Sequence, residues 1–138
     1  MKEMTLKLAK LLSEGIMTYA ATKNMKVVVA VVNSQGRPIL AEVMDGAFLL
    51  SYEVAMKKAY TCAAVKMSTE ELGKSVKAGG ALEGLHDDRL IFFGGGEPLV
   101  VGGEVIGGLG VSGGTVKEDT DLGKFGVRLF EELIKTMA

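Results

Sequence analysis

A single cysteine, a single histidine and two prolines in 138 residues remove several function classes at once. Cys62 alone cannot close an intrachain disulfide, which suits a reducing compartment. His86 lies far from Cys62 in sequence, so no zinc constellation can be drawn from the two. No apolar run approaches the roughly 20 residues that span a bilayer, and charge at Lys2 and Glu3 precedes any short apolar region a signal peptide would need. The expectation is a cytoplasmic protein with no membrane partner. Sixteen Lys+Arg against 17 Asp+Glu leave a net charge of -1. With no basic run to follow a phosphate backbone, nucleic acid is not expected as a partner either.

Glycine is the opposite case. The chain has 19 of them, about 14 per cent against a usual share of roughly 7 per cent. Ten fall between Gly94 and Gly114 without a Gly-X-Y period, so neither collagen nor low-complexity disorder accounts for them. Hydrophobic residues make up 48% and charged residues 24%, which predicts one globular domain over 1–138 with one compact core. The small net charge combined with positive mean hydropathy predicts that other subunits cover part of the apolar surface.

Met4, Leu8, Leu11, Leu12, Ile16 and Tyr19 recur at the spacing of one helix face, with Asn24 as a left-handed stop. Val27–Val32 is a short run of small or β-branched residues, the pattern of a central strand covered on both faces. Asn33-Ser34-Gln35-Gly36 is turn chemistry, after which Arg37–Val43 can return antiparallel. A long helix is predicted over Phe48–Met67, with Ala55, Ala59 and Ala63 forming a stripe of small side chains that permits close backbone packing. Ser68–Glu71 and Thr115–Glu118 fit capping boxes, each opening a helix. Between them stand three apolar segments, Leu90–Phe93, Pro98–Val101 and Glu104–Val111, the last two joined by the hairpin signal Gly102-Gly103. The order α-β-β-α-α-β-β-β-α predicts an α+β fold, an antiparallel five-stranded sheet between helices.

Three nucleotide- or hydrolase-like motifs match on paper only. Gly108–Gly113 satisfies G-x-G-x-x-G, but the residues after Gly114 read as one helix, leaving no second parallel strand for NAD. Gly110–Gly114 satisfies G-x-S-x-G, yet the only histidine precedes Ser112. Gly73-Lys74-Ser75 resembles the end of an ATP P-loop, but Ser68 stands where its first glycine is required. What survives is a set of backbone N–H groups at Gly113, Gly114 and Thr115 that either receive a carboxylate or phosphate or simply form a tight turn.

Two ordered blocks carry a longer match. Val31–Pro38 followed by Met44-Asp45-Gly46-Ala47, Ser51, Ala55, Lys58-Ala59 and Thr61, and then Gly95–Pro98, Gly107–Gly114 and Asp119, resemble the GlcG/HbpS/PduO C-terminal domain family over nearly the whole chain. The resemblance implies a profilin-like three-layer α/β/α domain. It also implies homo-oligomers, from dimers to larger rings such as octamers, and haem or a corrinoid-related ligand in some members. An accessory role in glycolate- or propanediol-type metabolism is implied too, without a settled reaction. Asn33 and Val43 depart from the family's usual aspartate and arginine, which suggests a lost ion pair or an altered anion site.

The candidate ligand site therefore lies between the Met44–Ala47 turn and the Gly107–Thr115 turn: Met44, Asp45, Gly46, Lys58, Ser112, Gly113 and Gly114. Asp45 is either an N-cap of the long helix or a ligand contact. Lys58 is either solvated or a cation reaching a pocket, and Ser112 is a turn residue or a hydrogen-bond partner. Asp119 reads as a dipole partner in the first turn of the last helix. His86 is either an axial haem ligand or part of a charged, solvated loop with Asp87 and Asp88. The leading reading is a haem- or tetrapyrrole-binding accessory domain. The alternatives are an enzyme acting on a small hydroxy- or oxo-acid and a purely structural subunit.

Overall fold

A computed structural model describes residues 3–137. Helix α1 (Leu6–Thr22) starts where the Thr5 hydroxyl accepts the Leu8 N–H and is followed by Asn24 in the left-handed conformation, φ 56°. Strand β1 (Val28–Asn33) turns through Gly36, φ 78°, into β2 (Pro38–Val43). Helix α2 (Leu49–Val65) ends on Lys66, φ 58°. Helix α3 (Thr69–Ser75) is capped by the Ser68 hydroxyl, which accepts the Glu71 N–H. Strands β3 (Gly96–Val101) and β4 (Glu104–Ser112) form a hairpin through Gly102 and Gly103, both at positive φ. Helix α4 (Val116–Met137) opens with a complete capping box: Thr115 N–H to Glu118 Oε1 at 2.9 Å and Glu118 N–H to Thr115 Oγ1 at 3.1 Å.

The four strands are antiparallel throughout, in the order β2-β1-β4-β3. The expected fifth strand, Leu90–Phe93, is not one. The Ile91 N–H donates to Thr61 Oγ1 of α2 at 3.0 Å, and the Phe92 carbonyl lies over Gly73 of α3, so this segment satisfies its backbone against helices instead of the sheet.

The alternation of β1 divides the core. Val27, Val29 and Val31 face α1 and α4 together with Leu109 and Val111, whereas Val28, Ala30 and Val32 face Ala55, Ala59 and Ala63 of α2. A Cβ on Gly108 or Gly110 would overlap the carbonyl of Ala59 or Ala55. The small-residue stripe of α2 therefore rests directly on β4, backbone against backbone. Helices thus cover both faces of the sheet, α1 and α4 on one and α2 on the other.

Candidate functional site

The first residues of β1 bring the two expected turns together. Val28 pairs with Val43 on one side and Ser112 on the other, which sets the flanking strands roughly 10 Å apart. Met44 is tied to Val27 twice: its N–H donates to the Val27 carbonyl at 3.0 Å, and its Sδ accepts the Val27 N–H at 3.4 Å. The Lys26 side chain lies against Gly46, and the Lys26 carbonyl lies against Gly113. Met44, Gly46, Ser112 and Gly113 thus surround Lys26–Val28. Asp45 is exposed and does not cap α2, whose N-cap is Phe48 with no side-chain hydrogen bond.

Lys58 matches neither of its two sequence readings. Its side chain is 0% exposed, and its Nζ donates to the Val111 carbonyl at 2.7 Å and to Asp119 Oδ2 at 3.3 Å. The Phe93 ring lies 5.2 Å away. Burial pushes the amine below its ordinary value, and the adjacent Asp119 carboxylate opposes that shift. Asp119 also accepts from the Gly113 and Gly114 N–H groups at 3.3 and 2.8 Å. The anion receptor read from the glycine turn is real in geometry, but the chain's own carboxylate fills it.

The departures at Asn33 and Val43 do not mark a lost ion pair. They stand at opposite ends of β1–β2, roughly 16 Å apart along the strand. Asn33 Oδ1 instead accepts the Gln35 and Arg37 N–H groups at 2.9 and 3.1 Å, an Asx turn that an aspartate would make equally well.

Two surface grooves flank this region. An apolar one of about 700 Å³ is lined by Val43, Ala47 and the start of α2 from Phe48 to Glu53. The other, of about 350 Å³, runs between α1 and α4 past Tyr19, Lys23, Met25, Leu122, Phe125 and Arg128. It borders the glycine turn, since a Cβ on Gly114 would come within 2.9 Å of Met25 Cε. Tyr19 and Phe125 stack at 4.2 Å with their planes 13° apart. The groove's acids are engaged elsewhere, Glu118 in the capping box and Asp121 with Lys117 at 3.0 Å. Among the described residues neither Lys23 nor Arg128 has a carboxylate partner. In the sequence Tyr19 and Phe125 stand on the apolar faces of the first and last helices, and nothing local signals that they meet.

His86 lines neither groove. Its ring is 82% exposed and faces Asp88 at 3.4 Å. The neighbouring Arg89 grips Asp87 at 2.9 Å, holding that carboxyl down at about 2, and reaches over Tyr60 at 5.9 Å. Tyr60 is eight residues beyond Tyr52 of the apolar groove, about 12 Å along α2. Cys62 is buried, and burial pushes its thiol up, away from the nucleophilic thiolate. Among the described residues no cluster of three metal-ligating side chains exists, and no helix is long and apolar enough to cross a membrane.

Comparison with known proteins supplies the relationship. The family model described as haem degrading protein HbpS-like matches residues 4–128. A 15.0 kDa protein of the dhaT–dhaS intergenic region of Citrobacter freundii is 38% identical over 132 residues, 94% of this chain and 93% of that one. The corrinoid adenosyltransferase PduO of Salmonella typhimurium is 40% identical over 114 residues, 80% of this chain but only 34% of PduO. Among solved structures, that of a PduOC:haem complex superposes with a TM-score of 0.85 at 35% identity, covering 91% of this chain and 94% of that one. By the family model and by these identities, the chain belongs to the HbpS-like family.

Proposed function

We propose that this chain is an accessory, homo-oligomeric small-molecule-binding domain whose ligand is haem or a related tetrapyrrole, held in the α1/α4 groove beside Gly114. The observation that carries the reading is the lining of that groove. Tyr19 and Met25 are side chains of the types that ligate haem iron, and Leu122 and Phe125 give an apolar wall. Among the described residues Lys23 and Arg128 are cations without carboxylate partners, suited to the carboxylates of such a ligand. The related PduOC:haem complex supports the ligand class. At about 350 Å³ the groove falls at the lower end of ordinary ligand clefts.

When bound, haem would supply an iron centre able to exchange ligands and electrons. The chain's own part is to orient the ring, neutralise its carboxylates and keep water from one face. Met44, Gly46, Ser112 and Gly113 then serve as the frame of the turn, and Gly114 borders the ligand. The reading of an enzyme acting on a hydroxy- or oxo-acid loses support, because Lys58 is withdrawn from any substrate by its two internal partners.

Titration with haemin tests this. The wild type is expected to shift the Soret band. Tyr19→Phe should move the band or weaken binding, Lys23→Glu with Arg128→Glu should weaken it at least tenfold, and His86→Ala should leave it unchanged. Binding that depends on His86 and ignores Tyr19, Lys23 and Arg128 would overturn the assignment to this groove.

A further inference from the structure

Helix α3 is fastened lightly to the rest of the chain. Of its seven residues Thr69, Leu72 and Gly73 are buried. Thr69 Oγ1 accepts the Gly96 N–H at 2.9 Å, and Glu70 meets Lys124 of α4 at 3.2 Å. Thr69 shares its footing with the buried Cys62: a Cβ on Gly96 would come within 2.7 Å of Thr69 Cγ2 and 2.9 Å of Cys62 Sγ. The segment 76–95 continues from α3 to β3, pinned where the Ile91 N–H donates to Thr61, and it carries the half-exposed Phe93 ring over the Lys58 amine. We propose that α3 and this segment form a proton-governed cover over Cys62 and Lys58, closed while the Glu97 carboxyl is protonated and loosened when it ionises. The inference does not depend on the ligand assigned above.

The charges around Glu97 carry the argument. Glu97 follows Gly96 on the edge strand β3, half-buried, with its Cγ 3.4 Å from the place a Cβ on Gly123 of α4 would take. Facing it are Glu70 and Glu71 from α3, Lys124 from α4, and from α2 the Cys62 thiol, which burial keeps un-ionised. Asp121 of α4 draws on the same lysine. One cation thus serves several carboxylates and is already bound to Glu70, while among the described residues no ion pair reaches Glu97. Burial raises the Glu97 carboxyl to about 7, with Lys124 opposing the rise and Glu70 and Glu71 adding to it. Above that value the closed cover holds a carboxylate away from water beside two like charges. Separation of α3 hydrates Glu97 and carries Glu70 and Glu71 away from it, which returns the carboxyl toward 4.5. The open state therefore binds the proton less tightly, and opening becomes easier by up to about tenfold per pH unit between those two values. Local opening concentrates in units with few buried apolar side chains, and Leu72 is the one that α3 buries.

Hydrogen exchange on the full chain across neutral pH, with each rate divided by that of the unstructured chain at the same pH, is the test. Amides of α3 should open more readily than those of β1 and β4, and their opening constant should rise about thirtyfold from pH 5 to pH 7 and then level off. Glu97→Gln should flatten that rise. Iodoacetamide labelling of Cys62, referred to the chain unfolded in urea at the same pH, should follow the same curve in the wild type. Amides of α3 that open no more readily than those of β1 and β4, or a rise that persists in Glu97→Gln, would overturn the proposal. Should the variant fail to fold, the wild type decides alone: the rise must level off at the pH where carbon-13 NMR shows the Glu97 carboxyl to titrate. A rise that ends elsewhere would overturn the assignment to Glu97.

Discussion

Lys58 and Asp119 show what a buried charge needs in order to be tolerated. Two ions lose water here, and the loss is offset by a backbone carbonyl on one side and two glycine N–H groups on the other. Removing one partner strands the other. Lys58→Met is expected to cost roughly 3–5 kcal/mol of unfolding free energy in urea titrations. Lys58→Met combined with Asp119→Asn should cost less, because no stranded charge remains, although the single amide oxygen of asparagine replaces only one of the two carboxylate oxygens that accept the glycine N–H groups. A single variant within 1 kcal/mol of wild type would contradict the arrangement. Glu97 is the contrasting case, a half-buried carboxyl with no such partner set. Burial raises it from 4.5 to about 7, with Glu70 and Glu71 reinforcing the rise and Lys124 opposing it. Between these two values the folded state holds the proton more tightly than the unfolded chain does. Its contribution to stability is therefore complete below pH 4.5 and is lost as pH rises through about 7. Glu97→Gln should flatten that decline in unfolding experiments run from pH 4.5 to 7.5, and a decline that persists unaltered in the variant would refute it.

At the scale of elements, glycine decides how closely α2 approaches the sheet. Gly110→Ala would drive a methyl group into the Ala55 carbonyl, where neither backbone can yield, and is expected to destabilise by about 3 kcal/mol. Gly102→Ala, at φ 58° with no atom within 4 Å of its Cβ, meets only backbone strain of about 1–2 kcal/mol. Thermal unfolding that ranks the two in the opposite order would refute the packing argument. Much of this was legible beforehand. The β1 run, the Thr115–Glu118 capping box, the Ser68 cap of α3, the Gly102-Gly103 hairpin and the alanine stripe each depend on neighbours close in sequence. Leu90–Phe93 misled because a short apolar segment looks alike whether it lies against a strand or a helix. The Lys58–Asp119 pair joins residues 61 positions apart, and no local pattern signals which buried lysine will meet which aspartate. The α1/α4 groove was hidden for the same reason, since it exists only once the two ends of the chain lie side by side.

For the whole molecule, the sheet separates two kinds of surface. The groove that joins aromatic rings to cations with no carboxylate partner among the described residues lies between α1 and α4, while the apolar groove belongs to the start of α2. The two grooves therefore share no lining residue. The filled glycine turn between them has a consequence for how such a sequence can change over time. Lys58 and Asp119 depend on one another so closely that a substitution at either one strands the charge of the other. Variants of this fold are thus expected to keep both or replace them together, so that two letters 61 positions apart are spelled as one.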